Sequence, residues 1–118
     1  MPWNLNSDRP IFLQSVERIQ TDIISGKYKP GDKLPSVRDL ASEASVNPNT
    51  MQKAFSELER TGLVYTQRTA GRFITEDTEL IDELKKDFAK EKITEFIDLM
   101  QKLGFSKEEI LALIQNTI

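Results

Sequence analysis

Side chains that can read DNA bases cluster in one short stretch of the sequence. Asn49 and Gln52 carry amides, which donate and accept together and so form bidentate hydrogen bonds with adenine. Asn47, Thr50 and Lys53 stand beside them, and amide, hydroxyl and ammonium groups bind base edges or phosphates. These residue types and their spacing favour recognition of double-stranded DNA.

Enzymatic chemistry finds little support in the composition. The sequence contains no Cys and no His, so it lacks a thiol nucleophile and the side chain that most often serves as general base or metal ligand. Its Asp and Glu residues are spread along predicted helix faces instead of forming a pair in one pocket. We therefore expect no catalytic residue, no metal site and no cofactor.

A second polar group suits contacts with the DNA backbone. Ser36 and Arg38 lie at the predicted start of a helix, where the positive end of the helix dipole attracts phosphate. Two arginines flank a predicted hairpin tip, which we expect to touch the DNA backbone or the minor groove. The hairpin residues assigned to this contact are Arg68, Thr69, Gly71 and Arg72.

The elements that must position these side chains follow from apolar spacing and from helix caps. Apolar residues at helical spacing predict a first helix over about residues 10–25. Ser36 is a suitable cap for a short second helix, and Asn47 is a suitable cap for a third. β-Branched and aromatic residues predict strands over 63–66 and 72–75. The predicted fold class is mainly α with a small β-hairpin (α+β), a winged helix-turn-helix followed by a two-helix dimerisation tail.

The C-terminal part carries an apolar stripe that one short neighbouring helix cannot cover. It runs along a predicted helix over about residues 78–103, and Ser106 with Glu109 forms a capping box for a short last helix. We expect the stripe to dimerise the chain; the alternative is that it folds back on its own winged domain. The predicted domains are 1–76 for DNA binding and 77–118 for dimerisation. The stripe consists of Leu80, Leu84, Phe88, Ile93, Phe96, Met100 and Leu103.

Charge is divided unevenly along the 118 residues. Residues 1–75 contain ten Lys/Arg and eight Asp/Glu, whereas residues 76–118 contain six and eleven, within a net charge of −3. A mildly basic first part and an acidic second part suit a protein that presents one face to phosphate. No apolar stretch approaches the length of a membrane span, and the first residues lack the features of a signal peptide. We therefore expect a cytoplasmic protein without a membrane partner.

Two phrases of the sequence resemble the GntR family of bacterial regulators. They are KPGDKLPSVRDLA and, at the matching spacing, VNPNTMQKAFSELERTGLV. The short tail is similar to that of the YtrA-like branch, in which the tail makes a homodimer. The resemblance implies that Arg38, Asn49, Thr50 and the wing tip contact DNA. Gln52 stands where the family often has a basic residue, and Thr69 stands where it often has glycine.

The leading functional hypothesis is a homodimeric repressor that binds a pseudo-palindromic DNA operator, since a two-fold dimer presents two symmetric recognition helices. The alternative is a protein-interaction module on a winged-helix scaffold without specific DNA binding, because a fold does not fix a function. No set of residues in the sequence marks a site for a small-molecule effector.

Overall fold

The computed structural model describes residues 3–118 and confirms the mainly helical fold class with one β-hairpin. Residues 1 and 2 of the predicted first domain lie outside the described residues. The chain forms two compact units, of which the second is Glu83–Ile118, so the division falls inside α4. The helices are α1 (Ile11–Ile24), α2 (Val37–Ala44), α3 (Pro48–Arg60), α4 (Thr78–Lys102) and α5 (Lys107–Thr117), and the strands are β1 (Val64–Gln67) and β2 (Gly71–Ile74).

The third helix is the centre of the first unit. One face of α3 carries Met51, Ala54, Phe55 and Leu58, all fully buried, at the spacing that places side chains on one side of a helix. Helix α3 contacts α1, α2 and β1. Full burial of a large apolar side chain stabilises a fold by about 1.5–3 kcal/mol, so this face fixes the other elements of the unit around α3.

A tight turn connects α2 to α3. The Ser36 hydroxyl accepts a hydrogen bond from the Asp39 backbone N–H at 3.0 Å and begins α2 as predicted. The helix ends at Ser45, whose φ of 57° and ψ of 46° lie in the left-handed region. The Val46 N–H then donates to the Ala41 carbonyl at 2.9 Å. A non-glycine residue in this conformation costs about 1–2 kcal/mol, which the closed turn and the burial of both helices offset.

The predicted hairpin forms an antiparallel wing. Val64 pairs with Ile74 and Tyr65 pairs with Phe73. The first pair is buried, and the rings of the second pair stack with their centroids 5.8 Å apart. Each strand lies one residue closer to the turn than predicted, because the strand pairing continues to the residues on either side of a three-residue tip.

A segment that the sequence indicates as a turn also pairs with the wing. The Leu34 N–H donates to the Arg72 carbonyl at 2.9 Å, and the Ile74 N–H donates to the Asp32 carbonyl at 2.8 Å. These bonds lie on the side of β2 that does not face β1, and Leu34 is buried. The segment therefore belongs to the core that supports the wing.

The second unit consists of the remainder of α4 and of α5. The predicted capping box is present: the Ser106 N–H donates to Glu109 Oε1 at 3.0 Å, and the Glu109 N–H donates to the Ser106 hydroxyl at 3.2 Å. The backbone and hydroxyl groups of Ser106 hold the pKa of the Glu109 carboxyl below its usual value. Ile110 of α5 is buried, whereas α4, which is described throughout, has no buried residue.

Leu34→Ala tests whether the segment beside the wing is part of the core. Because Leu34 is only 3% exposed, we expect the substitution to lower the free energy of unfolding by about 2–5 kcal/mol. Lys33→Ala is the matched control: Lys33 is exposed and pairs through its backbone, so the free energy should change by less than about 0.5 kcal/mol. Urea denaturation followed by circular dichroism measures both. Equal small losses in the two variants would contradict the packing of Leu34.

Candidate nucleic-acid interface

The start of α3 is fixed by a cap within its own sequence. The Asn47 side-chain oxygen accepts a hydrogen bond from the Asn49 backbone N–H at 2.7 Å, and the Asn47 carbonyl accepts one from the Met51 N–H at 3.0 Å. Pro48 occupies the first helical position, where its missing N–H leaves no bond unmade. The predicted cap is confirmed, and it fixes the direction in which the first turn of α3 presents its side chains.

The outward face of α3 is polar along its first two turns. Asn49, Gln52 and Lys53 are exposed, and Thr50 is half-buried. Lys53 has a partner, because its ammonium nitrogen lies 4.0 Å from the centroid of the Phe12 ring. This cation–π contact joins α3 to the start of α1. Asn49 and Gln52 are thus the amides that the core leaves facing solvent.

The start of α2 and the wing border one groove. Ser36 and Arg38 are exposed in and just before the first turn of α2. Ser36 lines a groove of about 520 Å³ together with Lys33, Gly71 and Arg72. The structure therefore brings together three predicted contact residues from separate parts of the chain. It adds Lys33, a cation that the predicted interface does not include.

The wing tip is a three-residue turn between the paired residues Gln67 and Gly71. Arg68 and Thr69 are exposed there, and the Ala70 N–H donates to the Gln67 carbonyl at 3.1 Å. Gly71 has a φ of 107°, a conformation that residues with a Cβ rarely adopt. The glycine that follows this tip therefore stands at a position where the backbone requires it.

Arg72 does not extend into solvent from the wing. Its Nε donates to Glu59 Oε1 at 2.6 Å, and its guanidinium carbon lies 5.2 Å from the centroid of the Phe55 ring. The Thr66 hydroxyl donates to the same Glu59 oxygen at 2.9 Å. Partial burial alone raises the pKa of Glu59, but the bonds from Arg72 and Thr66 and the charge of Arg72 together hold it below its usual value. Glu59 is therefore an anion at neutral pH that joins α3 to both strands.

A second groove borders the start of α3. It has a volume of about 390 Å³, and its lining includes Asn47 and Thr50 together with Trp3 and Leu5 of the N-terminal segment. The Trp3 ring is buried and lies 5.0 Å from the guanidinium carbon of Arg18 on α1. The N-terminal segment thus forms part of this edge. The predicted interface does not include this segment, whose two large apolar residues are its signal in the sequence.

The residues of the predicted dimerisation stripe do not share one environment. Leu80 belongs to the first unit, where its side chain packs against Gly62. Leu80 is half-buried, and so are Leu84, Phe88 and Met100. The exposed members are Ile93, Phe96 and Leu103. Only the later part of the stripe therefore presents a strongly exposed apolar surface.

Two apolar grooves lie between α4 and α5 within the second unit. Their volumes are about 470 Å³ and about 420 Å³, and Phe96 and Ile114 line both, so the apolar surface is continuous. Leu111 and Leu113 of α5 also line this surface and are 61% and 41% exposed. The predicted stripe contains only α4 residues, although the apolar spacing of α5 in the sequence was a signal for these leucines.

Within residues 3–118, no helix combines the length and the apolar character needed to cross a membrane. In the same part of the chain, no three Cys, His, Asp or Glu side chains are grouped so that they could hold a metal ion.

Comparison with known proteins identifies the family. The sequence model of the bacterial regulatory proteins of the gntR family matches residues 13–74, which contain α2, α3 and the wing. The chain belongs to the GntR family. It is a DNA-binding transcriptional regulator, not an enzyme.

Individual GntR-family proteins match nearly the whole chain. The HTH-type transcriptional regulator YhcF of Bacillus subtilis is 46% identical over 111 residues, which cover 94% of this chain and 92% of YhcF. The HTH-type transcriptional repressor YtrA of the same organism is 41% identical, over 88% of this chain and 81% of YtrA. The structure of a GntR family transcriptional regulator from Listeria monocytogenes superposes with a TM-score of 0.89 at 45% identity, covering 95% of this chain and 98% of that one. The predicted resemblance to the short YtrA-like branch is confirmed.

Asn47→Ala tests the cap of α3 in this GntR-family protein. The substitution removes the acceptor of the 2.7 Å bond, so we expect the free energy of unfolding to fall by about 1 kcal/mol. Asn47→Ser is the matched control, because a serine hydroxyl accepts the same bond and should retain most of the stability. Urea titration measures both variants. An alanine variant as stable as the wild type would show that the cap contributes nothing to the free energy of unfolding.

Proposed function

We propose that this GntR-family protein is a homodimeric repressor that binds a pseudo-palindromic DNA operator. The observation that carries the proposal is the contrast between the two faces of α3. Its apolar face is fully buried, and its opposite face presents Asn49 and Gln52 to solvent. A helix-turn-helix reads the major groove with the N-terminal residues of its second helix, and α3 is that helix. In this proposal residues 1–76 bind DNA in the cytoplasm and residues 77–118 dimerise.

Base recognition is assigned to the first two turns of α3. Asn49 and Gln52 have exposed amides, whose oxygen and nitrogen atoms can both form hydrogen bonds with one adenine. Thr50 is half-buried and offers its hydroxyl or methyl group to an adjacent base. Asn47 caps the helix, and Lys53, held over Phe12, places its charge beside the same face. We propose that these residues enter the major groove together.

Backbone contacts are assigned to the groups on either side of α3 in the sequence. Arg38 is exposed in the first turn of α2, and Ser36 retains its hydroxyl hydrogen for donation, because the cap uses only its oxygen as an acceptor. Arg68 and Thr69 are exposed at the wing tip, and Gly71 allows close approach because it has no side chain. Such contacts fix the position of the protein on the duplex without reading its sequence.

Dimerisation is assigned to the apolar surface of the second unit. Phe96 and Leu103 of α4 are 40% and 64% exposed, and the grooves against α5 continue that surface. Monomeric proteins rarely leave large contiguous apolar patches in water. In a two-fold dimer the same patch on each copy covers the other. We propose that Leu111 and Leu113 join the α4 stripe at this interface.

The direction of regulation is taken from a relative. YtrA of Bacillus subtilis is a transcriptional repressor, and it is 41% identical to this chain. A dimer seated on an operator near a promoter excludes other proteins from the same DNA. We propose the same negative control here.

Paired substitutions separate base recognition from phosphate binding. Gln52→Ala should weaken binding to the duplex that the wild-type protein selects from a random-sequence pool by about 1–3 kcal/mol and should leave binding to a scrambled duplex unchanged. Arg38→Gln should weaken binding to both duplexes and should reduce the slope of log affinity against log salt by about 1. Fluorescence anisotropy over a salt series measures these values.

Gln101→Ala is the control for the DNA experiment, since Gln101 is an exposed glutamine of α4 in the second unit and should change neither affinity. The proposal requires the selected sequence to contain an inverted repeat. Failure to select any sequence, together with a binding affinity that is insensitive to salt, would instead support a protein-interaction module.

Phe96→Glu tests the dimer interface. Phe96 lines both apolar grooves of the second unit, so a charge there should convert the dimer to a monomer at micromolar concentration. Thr94→Glu is the matched control, because Thr94 is also exposed on α4 but lines neither groove, and it should leave the dimer intact. Sedimentation equilibrium measures the mass of each variant. A wild-type monomer at this concentration would exclude the proposed dimer.

A further inference from the structure

The inner face of the wing changes from apolar to polar toward its tip. Val64 and Ile74 pair across the hairpin and are buried. Thr66 and Arg72 form the pair two residues nearer the tip, and side chains two residues apart on a strand share a face. The buried pair is therefore followed, on the same face, by a hydroxyl and a guanidinium.

Both of these groups bind one oxygen atom of α3. The Thr66 hydroxyl donates to Glu59 Oε1 at 2.9 Å, and the Arg72 Nε donates to the same atom at 2.6 Å. The Arg72 guanidinium carbon also lies 5.2 Å from the centre of the fully buried Phe55 ring. Two residues of α3 thus hold the Arg72 side chain, which is only 25% exposed. We call Glu59, Thr66 and Arg72 the wing clamp.

We propose that Glu59 is a positioning residue for DNA binding, and that Arg72 is its partner within the wing clamp instead of a phosphate contact. The inference rests on the proposed roles of α3 and of the wing tip. By holding both strands against α3, the clamp fixes where Arg68 stands relative to Asn49 and Gln52. Because DNA is stiff over such short distances, a separation that is set in advance lets both parts of the protein contact one duplex without the cost of ordering the wing.

Whether removal of Glu59 weakens or strengthens DNA binding distinguishes a positioning role from a purely electrostatic one. Glu59 is negative, so electrostatics alone predicts that its removal strengthens binding to the phosphate backbone. Positioning predicts weaker binding, because the part of the wing near its tip, once released from α3, must be immobilised again when it docks. If Glu59 instead masked Arg72 as a DNA contact, its removal would give tighter binding with a steeper dependence on salt.

The first experiment measures the mobility of the wing in the free full-length protein. In Glu59→Ala, NMR relaxation should show the backbone amides of residues 68–70 becoming flexible, with order parameters below about 0.6. Glu57→Ala is the matched control: it removes the same charge from α3, but it breaks an ion pair with Arg60 on the same helix. Those amides should keep the order parameters of the wild-type protein in the control. Order parameters in Glu59→Ala that equal those of the wild-type protein would overturn the proposal.

The second experiment measures affinity for the duplex that the wild-type protein selects from a random-sequence pool. We expect Glu59→Ala to weaken binding about tenfold without changing the salt slope, and Glu57→Ala to bind at least as tightly as the wild type. Glu59→Gln removes the same charge but still accepts hydrogen bonds. It should therefore bind more tightly than Glu59→Ala and more weakly than the wild type.

Arg72→Ala completes a double-variant cycle with Glu59→Ala. If the two residues act as one clamp, the double variant should bind no more weakly than either single variant. A lost phosphate contact would instead lower the salt slope by about 0.9 in Arg72→Ala. That change of slope, additive losses in the cycle, or tighter binding by Glu59→Ala would each overturn the proposal.

The outcomes distinguish this proposal from the operator proposal. If the wild-type protein selects no sequence, the operator proposal fails, and a role of Glu59 in DNA binding fails with it. If the wild-type protein selects a sequence and the Glu59 variants bind it equally well, positioning alone fails. Thermal unfolding verifies that each variant is folded. Should Glu59→Ala not fold, Glu59→Gln is used in both measurements, with a smaller change expected in the same direction.

Discussion

Burial of one face of α3 is the constraint on which the rest of the structure depends. Met51, Ala54, Phe55 and Leu58 have no exposed surface, and α1, α2 and β1 all contact the helix that carries them. A helix held along one face has no freedom to rotate, so the positions of its polar residues follow from its apolar ones. The cap at its start and the wing clamp near its end add hydrogen bonds to a helix that the core already orients.

The features that the sequence predicts are those whose partners are close along the chain. Ser36, Asn47 and Ser106 each bond a backbone N–H two or three residues later, so residue type and spacing suffice to identify them. Apolar spacing identifies the buried face of α3 for the same reason. The hairpin is predicted with its strands displaced by one residue, since the last pair before the tip is set by strand pairing and by the backbone of Gly71.

The features that the sequence does not predict depend on distant partners. Leu34 stands in a turn-rich stretch, and its burial comes from pairing with β2, much later in the chain. Arg72 follows a glycine turn and so resembles a solvent-exposed cation, but its carboxylate partner lies 13 residues earlier on α3. The left-handed conformation of Ser45 is set by the packing of the two helices that it joins. In each case the deciding contact is tertiary, and local residue types do not encode it.

The cap at Asn47 limits what the recognition helix can distinguish in DNA. An amide identifies adenine by donating to N7 while accepting from the N6 amino group, but the Asn47 oxygen is already bound to the Asn49 N–H. Its amino group, which can only donate, finds acceptors on every phosphate and on more than one base. In the proposed complex, Asn47 therefore fixes the geometry of the start of α3 but contributes little to the discrimination between bases. Among the amides at the start of α3, discrimination between bases rests on Asn49 and Gln52, so these amides distinguish fewer bases than their number suggests.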